Sequence, residues 1–265
     1  MTRTRMAGTV RIEKLGHVGY LVFDHPERRN AISLEMWCEI PRAAAALDAD
    51  DAVRVVVLRG AGDVAFISGA DISEFAATRI GQAAVDYEAA NVRAFEAILG
   101  MNKPVVAMIH GFCVGGGVGI ALTADFRYAA DDAVFAIPAA RLGLGYPASG
   151  IETLVSVVGV SAAKELFFTA RRFDAKQAAA RGLVNEVKPK ADLDAFVTAV
   201  ADDIARNAPL TVQSAKIIAR EVLKPPAERN AALMEESIRR CFASDDYSEG
   251  VRAFLEKRAP QFKGR

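Results

Sequence analysis

The chain has little with which to build a cross-linked or metal-bound scaffold: three cysteines and three histidines in 265 residues. Cys38, Cys113 and Cys241 are odd in number, scattered and set among apolar neighbours, which suits reduced thiols rather than a disulfide framework. His17, His25 and His110 make no zinc-ligand spacing with them, so no metal site is expected. There is no excess of either charge. Lys plus Arg and Asp plus Glu both number 33, and a formal charge of zero gives no field to hold the whole protein on nucleic acid or on an anionic membrane. A small anionic ligand would need only a local basic patch. No apolar run reaches membrane length unbroken: the longest, around 109–124, holds five glycines and His110. The N-terminus carries Arg3 and Arg5, but Arg11, Glu13 and Lys14 interrupt any signal-like stretch, and the expected location is cytoplasmic.

What the chain has in quantity is apolar surface, 52% of its residues, enough to bury the core of one large α/β domain or two small ones. Residues 9–24 read as two short strands separated by 14–16, with Val18, Tyr20 and Val22 alternating. Pro26, Arg28 and Arg29 mark a loop. Ser33 is placed to cap a helix whose buried face carries Trp37, Ile40, Ala44 and Leu47, and Pro41 predicts a kink or break in it. The runs Val55-Val56-Val57-Leu58 and 104–109 are the continuous apolar segments of strands covered on both faces. A helical stretch, Gln82–Leu99, joins them as a crossover, so the sheet is expected to be parallel. Beyond Ser161 helical patterns follow one another, interrupted by a short strand at 183–187. The coarse division is an α/β core over 1–190 and a helical C-terminal region over 191–265.

Gly111, Gly115, Gly116, Gly117 and Gly119 cluster after the strand ending at Ile109 and before a helical run over 120–124. Glycines let a ligand approach peptide N–H groups, and a helix start adds free donors, which is anion-binding chemistry; a tight strand-to-helix turn would show the same pattern. A second glycine-bearing turn, Ser68-Gly69-Ala70-Asp71, follows the other buried strand, with Asp71 also suited to capping a helix. Two parallel strands ending in donor-presenting turns could converge two amides on one oxygen, the requirement of an oxyanion hole. The G-x-G-x-x-G order of a dinucleotide site is broken by Gly115, Gly117 and Ile120.

Taken in order, several motifs resemble the crotonase, or enoyl-CoA hydratase and isomerase, superfamily over nearly the whole chain. They are Arg29-Asn30-Ala31-Ile32, the stretch from Ala65 to Phe75, Lys103-Pro104-Val105-Val106-Ala107, the glycines 111–117, Ala124-Asp125-Phe126-Arg127, Phe135 with Pro138, Arg141-Leu142-Gly143, Ala180-Arg181-Gly182-Leu183-Val184 and Phe254-Leu255-Glu256-Lys257-Arg258. The resemblance implies a ββα spiral core with a C-terminal helical region that packs at a trimer interface, commonly paired into hexamers. It implies an acyl-CoA thioester substrate, with coenzyme A as part of that substrate and no permanently bound cofactor. The thioester carbonyl would accept hydrogen bonds from the amides of Ala70 and Gly116, and the coenzyme A moiety would pass Arg29, Ala31 and the run Ala70, Asp71, Ile72 and Ser73. Lys263, from the same or a neighbouring subunit, would lie near its phosphates.

The family's hydratases carry one glutamate two positions after the triple glycine and another after the proline that follows a short Phe-bearing strand. Here those positions hold Gly119 and Ala139, neither of which can move a proton. Tyr146 and Glu152 are candidate replacements by chemistry and closeness in sequence; Tyr146 also suits an apolar pocket wall, and Glu152 a first-turn carboxylate. Asp125 and Cys113 read as structural, Arg141 as a carboxylate ligand or a solvated side chain, and His110 as a strand-end residue or a base. An enoyl-CoA hydratase or isomerase, another crotonase chemistry such as thioester or C–C hydrolysis, and a low-turnover acyl-CoA-binding protein all remain compatible with the residues.

Overall fold

Apolar runs that bury both faces fix the larger of two sheets. In β3 (Val55–Gly60), Val56 and Leu58 join a core cluster on one side, while Val55 and Val57 join a second cluster on the other. Strand β5 (Val105–Ile109) repeats this, with Val105, Ala107 and Ile109 on the first side and Val106 and Met108 on the second. Successive strand side chains point to opposite faces, so each run requires cover on both. The computed structural model, which describes residues 8–74 and 80–265, supplies that cover; Arg3, Arg5 and Phe75 lie outside the described residues.

The larger sheet has the order β1-β2-β3-β5-β7-β10. Strands β1 (Thr9–Leu15) and β2 (Val18–Asp24) form an antiparallel hairpin, and β3, β5, β7 (Phe126–Ala130) and β10 (Glu186–Lys188) run parallel to β2. The hairpin is tighter than expected, since Lys14 and Leu15 still pair in β1 and Gly16 turns the chain at φ 58°. The strand expected at 183–187 forms instead at Glu186–Lys188. Leu183 and Val184 are apolar because they plug the core from a turn, where Leu183 N–H donates to Ala178 O.

One side of this sheet is covered by the helices Leu34–Ala49 and Gln82–Leu99. Ser33 caps the first as expected, its Oγ accepting from Met36 N–H at 3.2 Å. Pro41 does not break that helix. An interior proline costs about 3 kcal/mol, whereas the same helix buries Met36, Trp37, Ile40 and Leu47 almost completely, each worth about 1.5–3 kcal/mol. Burial therefore wins. Lys103 fastens the far end of this helix: its buried ammonium donates to Leu47 O at 2.8 Å and Asp50 O at 2.5 Å. Burial pushes that ammonium below its ordinary pKa, opposed by Asp48 and Asp50.

A second, smaller sheet was not foreseen. Strands β4 (Ala65–Ile67), β6 (Phe112–Val114), β8 (Val134–Ala136) and β9 (Phe173–Asp174) form it in that order, the first three parallel and the last antiparallel. The two glycine-bearing turns leave this sheet rather than the ends of β3 and β5. Segments of two or three residues are too short to display a period, which is why they read as loop.

After β10 the described residues form no further strand. The helix Leu193–Arg206 lays Leu193, Val197, Ala201 and Ala205 on the second face of the large sheet. Arg54 ties it in, donating to Ala205 O at 2.9 Å and to Phe262 O at 2.7 Å. The helices Pro209–Val222, Ala231–Phe242 and Asp245–Leu255 follow, with Phe242, Phe254 and Leu255 strongly exposed. No helix among the described residues is long and apolar enough to cross a membrane, and none of their His, Cys, Asp and Glu side chains cluster as a metal site.

Candidate functional site

Strands β4 and β6 pair in parallel, with Ala65 opposite Phe112 and Ile67 opposite Cys113. The chain segments that leave them start one inter-strand spacing apart, about 4.8 Å. After β4, Ile32 N–H donates to Gly69 O and Asp71 N–H donates to Ile32 O, both at 2.9 Å, so that Ile32 bridges Ala70. A parallel bridge made through the peptides on either side of Ala70 turns the Ala70 N–H the opposite way. After β6, Gly115 adopts φ 54° and caps the helix Gly116–Leu122; its N–H donates to Ala136 O at 2.8 Å. Gly115 O accepts from Val118 and Gly119 N–H, leaving Gly116 N–H as a first-turn donor outside the helix ladder. A side chain at Gly117 would be impossible, since its Cβ would stand 2.5 Å from Ile67 O.

Ala70 and Gly116 line one cavity of about 100 Å³, with Trp37 beside them. A second wall comes from the helix Gln82–Leu99, which contributes Glu88, Asn91 and Phe95. A third comes from Tyr146, Ser149, Leu154 and Phe167. The Tyr146 ring meets the Phe167 ring edge-on at 4.9 Å. The lining is mostly apolar, as in pockets that accept a small organic group, with polar atoms at few points.

Gly119 also lines this cavity, but the space beside its Cα is taken. A Cβ there would lie 2.8 Å from Phe95 Cζ and 3.1 Å from Phe95 Cε1. Phe95 in turn meets Trp37 edge-on at 5.4 Å. Ala139 is buried at the start of the helix Ala139–Leu142, packed in the core.

Among the candidates from the sequence, Tyr146 stands in the cavity wall and Glu152 does not. Glu152 is exposed on the helix Ala148–Thr169 and is not among the residues that line the cavity. His110 faces Asp194 at 3.2 Å, away from the cavity lining, and its Nδ1 has no partner among the described residues. Asp125 accepts from Val105 N–H at 2.7 Å and from Lys216 at 2.6 Å, a structural tie. Arg141 is exposed. Cys113 is fully buried, and burial pushes its thiol pKa up.

The segments expected along coenzyme A come together. Ser68 N–H donates to Arg29 O at 3.1 Å, Ser68 Oγ donates to Arg28 O at 3.0 Å, and Arg28 stands 3.8 Å from Asp71. Arg29 is exposed, its guanidinium 4.8 Å above the Phe112 ring. Ala31 is buried, with its carbonyl 3.0 Å from His25 Nδ1. Ile72 is exposed and Ser73 lies in the same short 3-10 turn, Ile72–Glu74. Lys263 is elsewhere in the chain's own fold: its N–H donates to Asp246 Oδ1 at 2.6 Å, beside the helix Asp245–Leu255.

The sequence reading missed the helical wall. Glu88 is half-buried, and Asn91 is 8% exposed with its Oδ1 lacking any hydrogen-bond partner among the described residues. A buried acceptor left unmade costs about 1–3 kcal/mol. The available signal was positional: Tyr87, Ala90, Asn91, Ala94 and Ile98 make one buried face at three- and four-residue spacing, and Asn91 is its amide-bearing member.

Comparison with known proteins agrees with this architecture. The pattern of the family described as Enoyl-CoA hydratase/isomerase matches residues 13–265. A crotonyl-CoA hydratase of Syntrophomonas wolfei is 34% identical over 251 residues, 95% of this chain and 96% of the relative. A peroxisomal Delta(3,5)-Delta(2,4)-dienoyl-CoA isomerase of Arabidopsis thaliana is 33% identical, covering 92% of each. A crystal structure of an enoyl-CoA hydratase/carnithine racemase from Magnetospirillum magneticum superposes with a TM-score of 0.92 at 34% identity, covering 98% of this chain and 97% of the other. The two-sheet core, the helical C-terminal region and the match across residues 13–265 together place the chain in the enoyl-CoA hydratase/isomerase family.

Proposed function

We propose that this acyl-CoA enzyme stabilises a thioester enolate between the main-chain N–H groups of Ala70 and Gly116, without the glutamate pair of a standard hydratase. The observation that carries the reading is that these two donors, far apart in the chain, line one small cavity. Each is turned out of the regular hydrogen bonding around it. Donors fixed in place before the reaction stabilise developing oxyanion charge without reorganising, and losing one costs about 2.7–4 kcal/mol. Coenzyme A runs past the joined segments around Arg29 and Ala31 and along Ala70, Asp71, Ile72 and Ser73. Lys263 reaches a phosphate only from a neighbouring subunit. The exposed Phe242, Phe254 and Leu255 favour assembly through the C-terminal region, 191–265, as a trimer or a pair of trimers. The protein works in the cytoplasm.

At the positions where the family's hydratases carry glutamates, Gly119 and Ala139 offer no proton. General acid and base contributions are worth about 10²–10⁴ each, so crotonyl-CoA hydration by the native protein is expected to be slow. The test is a panel of enoyl-, dienoyl-, β-keto- and hydroxyacyl-CoA thioesters, assayed for binding and for conversion by native protein and by Gly116→Pro. Proline is suited to the first helical position and removes only the N–H of interest, although it must accommodate Trp37, 3.0 Å from a Cβ at this site; circular dichroism checks the fold. Conversion of a panel member that falls about 10²–10³-fold in the variant supports the reading. Conversion unaffected by Gly116→Pro, or binding of the panel with no conversion at all, overturns it, the latter in favour of an acyl-CoA-binding protein. Rapid native hydration of crotonyl-CoA overturns the statement about Gly119 and Ala139.

A further inference from the structure

We infer that Glu88 is the group that removes and returns the α-carbon proton of the acyl thioester, from the helical wall opposite the glycine turn. This rests on the proposed function and adds the missing proton carrier to it. Among the described residues lining the cavity, Glu88 is the sole carboxyl group, and Tyr146 and Ser149 carry the hydroxyls. Glu88 reaches the cavity shared by Ala70 and Gly116, whereas Glu152, Asp125 and His110 do not. A base must stand within reach of the proton that it takes, and geometry precedes any question of pKa.

Asn91, one turn on from Glu88 at i+3 and therefore beside it on the helix surface, lines the same cavity. Its Oδ1 is buried and has no hydrogen-bond partner among the described residues. Buried polar atoms are nearly always satisfied, and this one is closed to water, so it meets a ligand only if the Asn91 side chain turns.

The step balances without any further reactant. The Glu88 carboxylate takes the α-proton, and the C–H electron pair becomes the C–C π bond of the enolate. The carbonyl π pair moves onto the thioester oxygen held by Ala70 and Gly116 N–H. Return of a proton from the Glu88 carboxylic acid restores the thioester, and exchange of that acid with solvent labels the α-carbon.

Butyryl-CoA in deuterium oxide reads this directly, because deuterium enters the α-carbon whatever the physiological product. Native protein, Glu88→Gln, Glu88→Asp and Tyr146→Phe are compared for exchange rate by mass spectrometry and for butyryl-CoA binding by calorimetry. The expected result is exchange by the native protein and a loss of about 10²–10⁴-fold in Glu88→Gln. Glu88→Asp keeps part of the rate, and binding stays within a few-fold throughout. Exchange that survives Glu88→Gln, or that is lost instead in Tyr146→Phe, overturns the assignment and leaves the thioester-enolate reading standing. Binding without exchange by the native protein also overturns it. Failure of the native protein to bind butyryl-CoA or the other thioesters defeats the proposed function itself.

Discussion

Placing a side chain at Gly119 tests how the cavity is filled. Its helical position is an ordinary one, so Gly119→Ala should gain about 0.8–1.0 kcal/mol of helix propensity. Against this, the new Cβ would stand 2.8 Å from Phe95 Cζ and 3.1 Å from Cε1, and overpacking of this kind costs about 1–3 kcal/mol. The ring does not swing away freely, because its edge contact with Trp37 holds it, a contact worth about 0.5–1.5 kcal/mol. The net expectation is a loss of about 0–2 kcal/mol in the native background. Phe95→Leu deletes the Cε and Cζ atoms involved, so in that background Gly119→Ala should stabilise by about 0.5–1 kcal/mol through the same propensity. Urea midpoints of the four proteins at fixed concentration, with unchanged slopes, give the cycle. A stabilising Gly119→Ala in the native background, or an equal effect in both, would refute the packing argument. The functional corollary concerns restored hydration. Glutamates at 119 and 139 together should gain little crotonyl-CoA turnover, and the gain should appear only when Phe95→Leu is added to make room for the first.

Other expectations follow from single features. Asn30 is fully buried at φ 56°, with its amide donating to Ala61 O at 3.0 Å and Ala65 O at 2.8 Å and accepting from His25 N–H at 3.0 Å. At about 0.5–1.5 kcal/mol for each bond, Asn30→Ala should lower unfolding free energy by about 2–4 kcal/mol, visible as a reduced urea midpoint. Glu249 is held well below the ordinary carboxylate value of 4.5 by Arg258, then by Arg252 and the Gln261 amide. A depressed carboxyl contributes stability that is present above that ordinary value and is lost as pH falls through the folded one. The Tm gap between native protein and Glu249→Gln should therefore be widest near neutral pH and narrow below about pH 4.5. Cys38 is exposed and Cys113 buried with its thiol pKa raised. An alkylating reagent should therefore label Cys38 in the folded protein and reach Cys113 only on unfolding, as peptide mass mapping would report.

Long, doubly covered strands and amphipathic helices were readable because their periods repeat often enough to stand out. Strand β5, the capped helix after Ser33 and the crossover Gln82–Leu99 stand within a residue of their expected places. The small sheet escaped notice because β4, β6 and β8 have three residues each, and their pairing is decided by contacts remote in sequence. Pro41 misled through local chemistry that tertiary burial overrides. At the site, the glycine turns stood out by composition, while the pair Ala70 and Gly116 could be named only through the family resemblance; both line the cavity. Glu88 could not be named, since an isolated carboxylate on a helix looks like any solvated one until the opposing wall is known. Closeness in sequence to Gly119 and Ala139 favoured Glu152, yet the chain brings its more distant Glu88 to the cavity.

The short pairing of β4 with β6, with its register shift between Ala65 and Ile67, separates two jobs. It starts the two turns that bring Ala70 and Gly116 to one cavity, while the helix Gln82–Leu99 belongs to the long connection that the chain makes between those strands. The wall carrying Glu88, Asn91 and Phe95 belongs to that connection. On the proposed reading, lengthening, shortening or reshaping this insert would alter which acyl group fits and which side chain meets it, while the pairing that starts the two turns is kept.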